Sequence, residues 1–257
     1  MEHIFGNGWE ITPAGGITGE AFYAQHENEK LFIKRNSSPF LAVLSAEGIV
    51  PKLVWTRRLE NGDVVTAQKW IAGKRLEPSD MVGTNVVKLL KKIHYSKPLL
   101  SMLKRLGKYP VLPTSLVADL INKMDGELKQ QSIISSTLNY LNNHLPNVHP
   151  NKLTVCHGDV NHNNWIITEN NQLYLIDWEG ALISDPALDL GPLLFWYVPE
   201  NQWTSWLKMY GLKLDKELMQ RLKWYVLYQT IETIILFKDR DNKEEETFWK
   251  QYLETIL

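Results

Sequence analysis

The first third of the chain has the hydrophobic pattern of short paired strands. Residues 20–24 and 31–35 are β-prone runs on either side of a polar turn. Residues 53–58 and 64–69 flank Asn61-Gly62, a dipeptide typical of tight hairpin turns. The pattern therefore predicts two hairpins, which together would form a small antiparallel sheet.

Helical signals begin between these hairpins and dominate from about residue 78. Ser38-Pro39 indicates the start of one short helix over residues 39–47. Apolar residues at helical spacing predict further helices at 82–93, from Thr114 into the 120s, at 133–145 and at 215–237. A β-rich insert interrupts these helices, with strands predicted at 155–159, 164–168 and 173–177.

These patterns predict an α+β fold with two lobes. The small β-rich N-lobe, an antiparallel sheet with one short helix, would cover residues 1–68. A hinge at 69–76 would lead to a larger helical C-lobe at 77–257. Such lobes commonly hold a ligand between them, so we expect the functional residues of both to face a cleft.

Composition excludes several classes of protein. The chain has 257 residues and a formal net charge of -1, so direct nucleic-acid binding is not expected as the main activity. A single cysteine excludes an internal disulfide and favours a cytoplasmic location. Neither a secretory signal nor a run of apolar residues long enough to cross a membrane is evident.

The strongest chemical signal is the run His157–Asn164, followed after thirteen residues by Asp177. Phosphoryl transfer needs a carboxylate to accept the proton of the acceptor hydroxyl, and further oxygen ligands to hold Mg²⁺ against the phosphates. Asp159 suits the first role. Asn164 and Asp177 suit the second, because Mg²⁺ takes only one or two carboxylates from a protein.

The same residues carry a family resemblance. His157-Gly158-Asp159 with Asn164 resembles the Brenner motif of the aminoglycoside phosphotransferase and choline kinase superfamily. Ile176-Asp177-Trp178-Glu179 resembles its metal-binding strand, and residues 185–190 resemble the segment that follows. The resemblance implies a protein-kinase-like fold, with ATP and Mg²⁺ as cofactors. It places His157 beside Asp159 in the catalytic loop, where His157 braces the loop, and it implies structural roles for Asp185 and Asp189.

The resemblance also implies a nucleotide site in the N-lobe. Residues 15–20 resemble the phosphate-covering loop, and Lys34 resembles the lysine that contacts the α and β phosphates. Strand alternation puts Phe32 on the same face as Lys34, so Phe32 should line the adenine pocket. The other predicted nucleotide contacts are Trp70 and Ile71 at the adenine edge, Gly73 beside the ribose and Ile176 at the pocket floor.

One position departs from the superfamily pattern. The nucleotide lysine usually pairs with a glutamate early in the following helix, whereas residues 37–40 here are Ser-Ser-Pro-Phe and Glu47 comes late. Lys34 would then lack its usual partner. This departure motivates the hypothesis of a nucleotide-binding scaffold without turnover, against which the intact Asp159, Asn164 and Asp177 argue.

The acceptor is suggested by a narrower resemblance. Residues 34–41, 47–52 and 157–165 resemble the CcrZ/YtmP-type bacterial proteins. That group implies phosphorylation of ribose, 2-deoxyribose or a nucleoside, a role in controlling replication initiation in the cell cycle, and replication or division proteins as partners. A choline or other amine kinase is the alternative, in which aromatic residues would cage a quaternary ammonium group. The candidate cage residues are Trp178, Trp196, Tyr197, Trp203 and Trp206.

Overall fold

The computed structural model describes residues 5–6, 8–14 and 21–257, which form two compact units. The first unit contains the described residues up to Leu76 together with Asn163–Glu179. The second contains Glu77–His162 and Gly180–Leu257. The predicted phosphate-covering loop at 15–20 lies outside the described residues, and the lobe and hinge boundaries stay predictions.

A five-stranded antiparallel sheet dominates the first unit, in the order β1-β2-β3-β5-β4. Its strands are β1 (Glu10–Pro13), β2 (Ala21–His26), β3 (Glu29–Arg35), β4 (Leu53–Arg58) and β5 (Val64–Lys69). Leu31 and Ile33 of β3 are buried against Ala24, Val65 and Ala67. Strand alternation therefore turns Phe32 and Lys34 to the opposite face, as the sequence predicts.

One helix and a second, three-stranded sheet complete this unit. Helix α1 (Phe40–Ala46) begins one residue later than predicted, because Pro39 is its N-cap. The second sheet has the order β6-β8-β9. Its strands are β6 (Gly73–Arg75), β8 (Trp165–Thr168) and β9 (Leu173–Leu175). The predicted hinge segment thus contains a strand, which pairs antiparallel with β8.

The second unit is mainly helical. A two-stranded sheet joins β7 (Thr154–Cys156) to β10 (Leu182–Ser184). The helices are α2 (Thr84–Tyr95), α3 (Lys97–Arg105), α4 (Pro113–Lys123), α5 (Gly126–Gln130), α6 (Ser132–Asn143), α7 (Ala187–Tyr197), α8 (Trp203–Tyr210), α9 (Lys216–Asp239) and α10 (Lys243–Ile256). The long helix α9 packs against α7 and α10 and buries Trp224 and Tyr225.

The strands nearest the predicted site are shorter than the sequence predicts. β7 ends at Cys156 rather than at residue 159, and β9 ends at Leu175 rather than at residue 177. Gly158 at φ +84° and Asp177 at φ +67° turn the backbone out of the extended conformation. None of the helices in the described part of the chain has the length and apolar content that a bilayer-spanning segment requires.

Candidate active site

The loop after β7 holds Asp159 in a defined orientation. Gly158 has a positive φ, and a Cβ there would lie 3.0 Å from Leu182 Cδ2 and 3.3 Å from the Gly180 carbonyl oxygen, so glycine is required. The backbone N–H of Asp159 donates to Nδ1 of His157 over 3.2 Å. Asn161 Nδ2 donates to Oδ1 of Asp159 over 2.5 Å. The loop itself therefore fixes both the backbone and the carboxylate of Asp159.

His157 is fully buried and anchors this loop. Its backbone N–H donates to Oδ2 of Asp189 over 2.8 Å, and the N–H of Gly158 donates to Oδ1 of the same residue over 2.9 Å. Gln229 Nε2 donates to the carbonyl oxygen of Gly158 over 2.9 Å. With its ring turned to the Asp159 N–H, His157 sits where it can brace the loop.

Asp189 is the centre of a buried polar network. Its Oδ2 lies 2.9 Å from Nε2 of His94, whose Nδ1 lies 2.7 Å from the hydroxyl of Tyr210. Burial acts to raise the pKa of Asp189, but the hydrogen bond from His94, the neighbouring His157 and the backbone N–H of Gly158 hold it below its ordinary value. An ionised Asp189 only accepts, so Nε2–H of His94 donates to it.

The hydrogen bonds of this network argue against its being a metal-binding site. His94, Cys156 and Asp189 place potential ligand atoms within 4.8 Å of one another. Both ring nitrogens of His94 and both carboxylate oxygens of Asp189 are already used in hydrogen bonds. Burial raises the pKa of the Cys156 thiol well above its usual value, and the Asp189 and Asp185 carboxylates raise it further, so a thiolate ligand is disfavoured.

Asp185 fixes the start of the helix that carries Asp189. Its carboxylate accepts a bidentate pair of hydrogen bonds from Arg221, at 2.8 Å and 2.5 Å. It also accepts the backbone N–H of Ala187 over 2.9 Å. These hydrogen bonds agree with the structural roles expected for Asp185 and Asp189.

In the first unit, Lys34 lies beside two carboxylates. Its Nζ is 3.8 Å from Oδ1 of Asp177 and forms a closer ion pair with Oε1 of Glu179. Asp177 adopts a left-handed backbone conformation at φ +67°, which is uncommon for a residue with a side chain and is concentrated at functional sites. The partner of Lys34 is thus supplied by the segment after β9 and not by α1.

The contact between α1 and that segment is aromatic. Phe40 is buried in the first turn of α1, and its ring meets the Trp178 ring edge-on at 5.8 Å. Ser37, just before the helix, has its hydroxyl 2.9 Å from that of Thr66. Glu47 stands at the C-terminal cap of α1. The place where a helix glutamate is expected is therefore occupied by apolar packing.

The two predicted metal ligands belong to the same unit and to adjacent backbone segments. The N–H of Ile176 donates to the carbonyl oxygen of Asn164 over 2.8 Å, which brings the backbone of Asn164 next to the residue before Asp177. A carboxylate and an amide oxygen are donors that Mg²⁺ accepts. The residues present therefore fit a magnesium site. Ile176, the residue before Asp177, is half-buried.

Two predicted adenine residues, Phe32 and Trp70, belong to an aromatic group that includes Tyr23, away from the buried core of the sheet. The Tyr23 ring lies 6.0 Å from that of Phe32 and 4.7 Å from that of Trp70. Nζ of Lys30 lies 4.7 Å from the Trp70 ring centroid. The N–H of Trp70 donates to the Lys30 carbonyl over 3.0 Å, so that donor is not available to an adenine edge. Ile71 follows as a half-buried residue.

The structure gives Gly73 a different explanation from the ribose contact that the sequence suggests. A Cβ at this position would lie 2.7 Å from Cγ2 of Ile166 and 2.8 Å from the carbonyl oxygen of Ile167. These distances are shorter than van der Waals contact, so β6 can approach β8 only with glycine here. The ribose role of Gly73 stays a prediction.

Comparison with known families decides the class of protein. A model described as the phosphotransferase enzyme family matches residues 11–225, which is most of the chain. The chain belongs to this phosphotransferase family.

Solved structures resemble this phosphotransferase over nearly its whole length. The choline kinase LicA from Streptococcus pneumoniae has a TM-score of 0.69 at 15% identity, covering 96% of this chain and 92% of that one. A choline/ethanolamine kinase family protein from Mesorhizobium loti has a TM-score of 0.66 at 14% identity, covering 100% and 90%. A spectinomycin phosphotransferase solved with ADP and spectinomycin has a TM-score of 0.60 at 14% identity, covering 95% and 88%. These matches confirm the predicted kinase-like α+β fold.

The sequence does not single out three residues of this phosphotransferase that contact motif residues within their own unit. His94 is one of the inward-facing residues of α2, where its helical position resembles that of the apolar neighbours. Gln229 lies within the long helix α9, with no local motif around it. Glu179 stands in the metal-strand motif, two residues after Asp177, and that position is the signal that could have identified it.

Proposed function

We propose that this phosphotransferase is an ATP- and Mg²⁺-dependent kinase that acts in the cytoplasm on a hydroxyl of ribose, 2-deoxyribose or a nucleoside. The observation that supports it most directly is the placement of Lys34 within 3.8 Å of Asp177, whose backbone is held in the left-handed region. This pairs a cation for phosphates with a carboxylate for the metal in one unit. The spectinomycin phosphotransferase of similar fold binds ADP, which supports a nucleotide as the donor.

The residues divide the work of phosphoryl transfer. Asp159 accepts the proton of the acceptor hydroxyl as the oxygen attacks, and Lys34 steadies the nucleotide phosphates. Asn164 and Asp177 would hold Mg²⁺, which neutralises charge on the phosphates when it is bound. Phe32, Trp70, Ile71, Gly73 and Ile176 are proposed to contact the base and ribose of the nucleotide. His157 acts through the loop and not on substrate.

The alternative of an amine kinase is less favoured by the aromatic residues themselves. Trp203 and Trp206 are buried in the second unit, and the indole N–H of Trp203 donates to the Val198 carbonyl over 2.8 Å. Trp178 packs against Phe40 in the first unit. Three of the five candidate cage residues are therefore used in packing, and a cage for quaternary ammonium needs several exposed aromatic faces.

Of the other two candidates, Trp196 packs edge-on against Trp249, and Tyr197 contacts the catalytic loop. The hydroxyl of Tyr197 lies 3.2 Å from both the backbone nitrogen and Nδ1 of His162, and Trp196 precedes it on α7. Burial raises the pKa of Tyr197, and the charge of Asp159 raises it further, so the Tyr197 hydroxyl stays protonated and can donate a hydrogen bond to the substrate. A hydroxyl-bearing sugar suits such a neighbour.

The scaffold alternative loses part of its motivation. Although α1 lacks the usual glutamate, Lys34 has Glu179 and Asp177 as carboxylate partners. We infer that the lysine is oriented by a different route, which supports turnover. The narrower resemblance to the CcrZ/YtmP-type proteins motivates the proposed role in replication initiation and the proposed replication or division partners.

The test is a screen of ADP release with ribose, 2-deoxyribose, nucleosides, choline, thiamine and aminoglycosides as acceptors. We expect a sugar or nucleoside to be phosphorylated, and Asp159→Asn to lower turnover by about 10²–10⁴-fold because the general base is lost. ATP binding and the thermal melt of this variant should be unchanged. Full activity in Asp159→Asn would refute the assignment of the base, and saturation by choline alone would favour the amine kinase.

The scaffold hypothesis has its own distinguishing result. It predicts no ADP release by the wild-type protein with any acceptor, while an Asp159→Ala protein still restores normal replication timing in cells that lack the gene. Loss of that function in Asp159→Ala, together with turnover by the wild type, would instead tie the cellular role to catalysis.

A further inference from the structure

One stretch of the second unit has a charge unlike that of the rest of the chain. Residues 81–118 contain seven lysines and arginines and neither aspartate nor glutamate. The whole chain has 28 lysines and arginines against 29 acidic residues, so the remaining sequence carries 21 against 29. A local excess of seven positive charges is therefore embedded in a chain that is otherwise acidic.

The folded structure exposes these cations along two consecutive helices. On α2, Lys88 and Lys92 are spaced one helical turn apart and point to solvent, opposite the buried residues of that helix. On α3, Lys97, Lys104 and Arg105 are also exposed, and so is Lys108 just after the helix. Both helices pack against β7, so they cover the same small sheet. We call these exposed cations the basic face: Lys88, Lys92, Lys97, Lys104, Arg105 and Lys108.

Five cations of the basic face form no ion pair with the described residues around them. Within the described part of the chain, no ion pair involves Lys88, Lys97, Lys104, Arg105 or Lys108. Helix α2 packs against α8, whose eight residues include a lysine and no acid, and against the short turn Pro78–Val82, which carries Asp80. Lys88 and Lys92 are like charges one turn apart, which disfavours a helix slightly, whereas Lys104 and Arg105 lie in the last turn of α3, where the helix dipole favours cations.

Large apolar side chains are exposed among the cations. Tyr109 is 83% exposed and Tyr95 is 61% exposed, and Leu106 stands between the two helix-end cations Arg105 and Lys108. Isolated exposed apolar residues are ordinary, but several within one charged segment are typical of a surface that contacts a partner. Leu106 is also exposed and not part of the core.

We propose that the basic face is a docking surface for an acidic segment of a partner polypeptide. Complementary charge would speed and orient the encounter, and the exposed tyrosines and leucine would supply apolar contact once the segment is bound. Charges attract one another only over about 8–10 Å at cellular salt, so a short peptide with a few negative charges is enough to pair with the six cations of the basic face.

A polypeptide is favoured over a nucleic acid for two reasons. A nucleic acid continues its negative charge beyond the patch, over a chain whose remaining sequence is acidic. The exposed rings of Tyr95 and Tyr109 could stack on a base or on a peptide side chain, but Leu106 suits a leucine or phenylalanine of a peptide and not a base.

The experiment measures binding of a fluorescent peptide in which acidic residues alternate with leucine and phenylalanine, using the full-length protein. Its controls are the same peptide with every acid replaced by its amide and an oligodeoxythymidylate of equal length. The test variant is the triple reversal Lys97→Glu, Lys104→Glu and Arg105→Glu. The matched control reverses three exposed lysines elsewhere in the same unit, Lys152→Glu, Lys216→Glu and Lys243→Glu.

We expect the acidic peptide to bind the wild type and the control variant equally, and the test variant at least about tenfold more weakly. Added salt should weaken the wild-type complex, and Tyr109→Ser should weaken it without changing that salt dependence. ADP release by both triple variants should equal that of the wild type, because neither alters the proposed catalytic residues.

Three results would overturn the proposal. The acidic peptide could fail to bind the wild type, or could bind both triple variants alike, in which case the basic face is solvated surface only. The oligodeoxythymidylate could bind more tightly than the peptide and displace it, which would make the face a nucleic-acid surface instead.

Discussion

The most informative substitution is Asp189→Asn, because it removes a support of the catalytic loop and leaves the proposed nucleotide-binding residues unchanged. Asp189 is fully buried and accepts hydrogen bonds from the backbone of His157, the backbone of Gly158 and the ring of His94. Asparagine keeps the shape but replaces one carboxylate oxygen with an amide NH₂, which would then face a hydrogen-bond donor. The change therefore leaves a buried donor without an acceptor and removes the charge opposite His94.

The cost can be worked from these contacts. Leaving a buried donor without its charged acceptor costs about 3 kcal/mol, which is a large share of the roughly 5–15 kcal/mol that stabilises a typical folded protein. For a chain of this size each kcal/mol shifts Tm by about 2–4 °C, so Tm should fall by roughly 10 °C. Turnover should also fall, because Asp159 follows the two loop residues that Asp189 holds.

Three measurements test this reasoning: thermal unfolding, ADP release, and the affinity for a fluorescent nucleotide analogue. The matched control is Asp119→Asn on the exposed surface of α4, which should change stability by less than about 0.5 kcal/mol. Nucleotide affinity should survive Asp189→Asn below its melting temperature, since Lys34 and Asp177 belong to the other unit. A loss of stability below about 1 kcal/mol would refute the role of the buried network.

The pH dependence of this effect has a definite sign. The pKa of Asp189 is lowered in the folded protein from an ordinary value of 3.8. A lowered pKa means that the unfolded chain binds the proton more readily, so the stabilisation is present above that ordinary value and is lost as pH falls through the folded pKa. The stability gap between the wild type and Asp189→Asn should therefore be constant near neutral pH and narrow in acid.

Two further substitutions test the first unit. Glu179→Gln should weaken nucleotide binding by up to about fivefold in a fluorescence titration, because an exposed ion pair orients Lys34 only modestly; tighter binding would mean that Glu179 competes with the phosphates. Gly73→Ala should destabilise the protein by about 1–3 kcal/mol in denaturant unfolding, because its Cβ would meet the Ile167 carbonyl. Gly126→Ala, where nothing lies within 4 Å, is the matched control and should be neutral or stabilising.

The sequence predicted best what depends on neighbouring residues. The bounds predicted for β4 and β5 agree with the structure, because alternation along each strand and the Asn61-Gly62 turn are local signals. The helix after β3 was placed to within about one residue for the same reason. The predicted strands at 155–159 and 173–177 were too long, since the turns at Gly158 and Asp177 depend on their surroundings in the fold.

Contacts between distant parts of the chain could not be predicted in this way. His94 and Asp189 are 95 positions apart, and a histidine among the apolar residues of α2 gives no indication of its partner. The ion pair of Lys34 with Glu179 also joins remote segments. The motif identified Asp177 as a candidate ligand, and the sequence already showed no glutamate at residues 37–40, but Glu179 as the partner of Lys34 followed only from the fold.

The two sets of site residues are held in physically different ways, and this difference has a functional consequence. The loop that carries Asp159 rests on Asp189 and His94, which are buried and fully hydrogen-bonded, so the proposed base is fixed before substrate arrives. Lys34 instead pairs with Glu179, a carboxylate that is 67% exposed on its side chain. Water screens such a pair, so Glu179 orients Lys34 only modestly before the nucleotide binds. Substitutions in the buried network should therefore act mainly on turnover, and those around Lys34 mainly on nucleotide affinity.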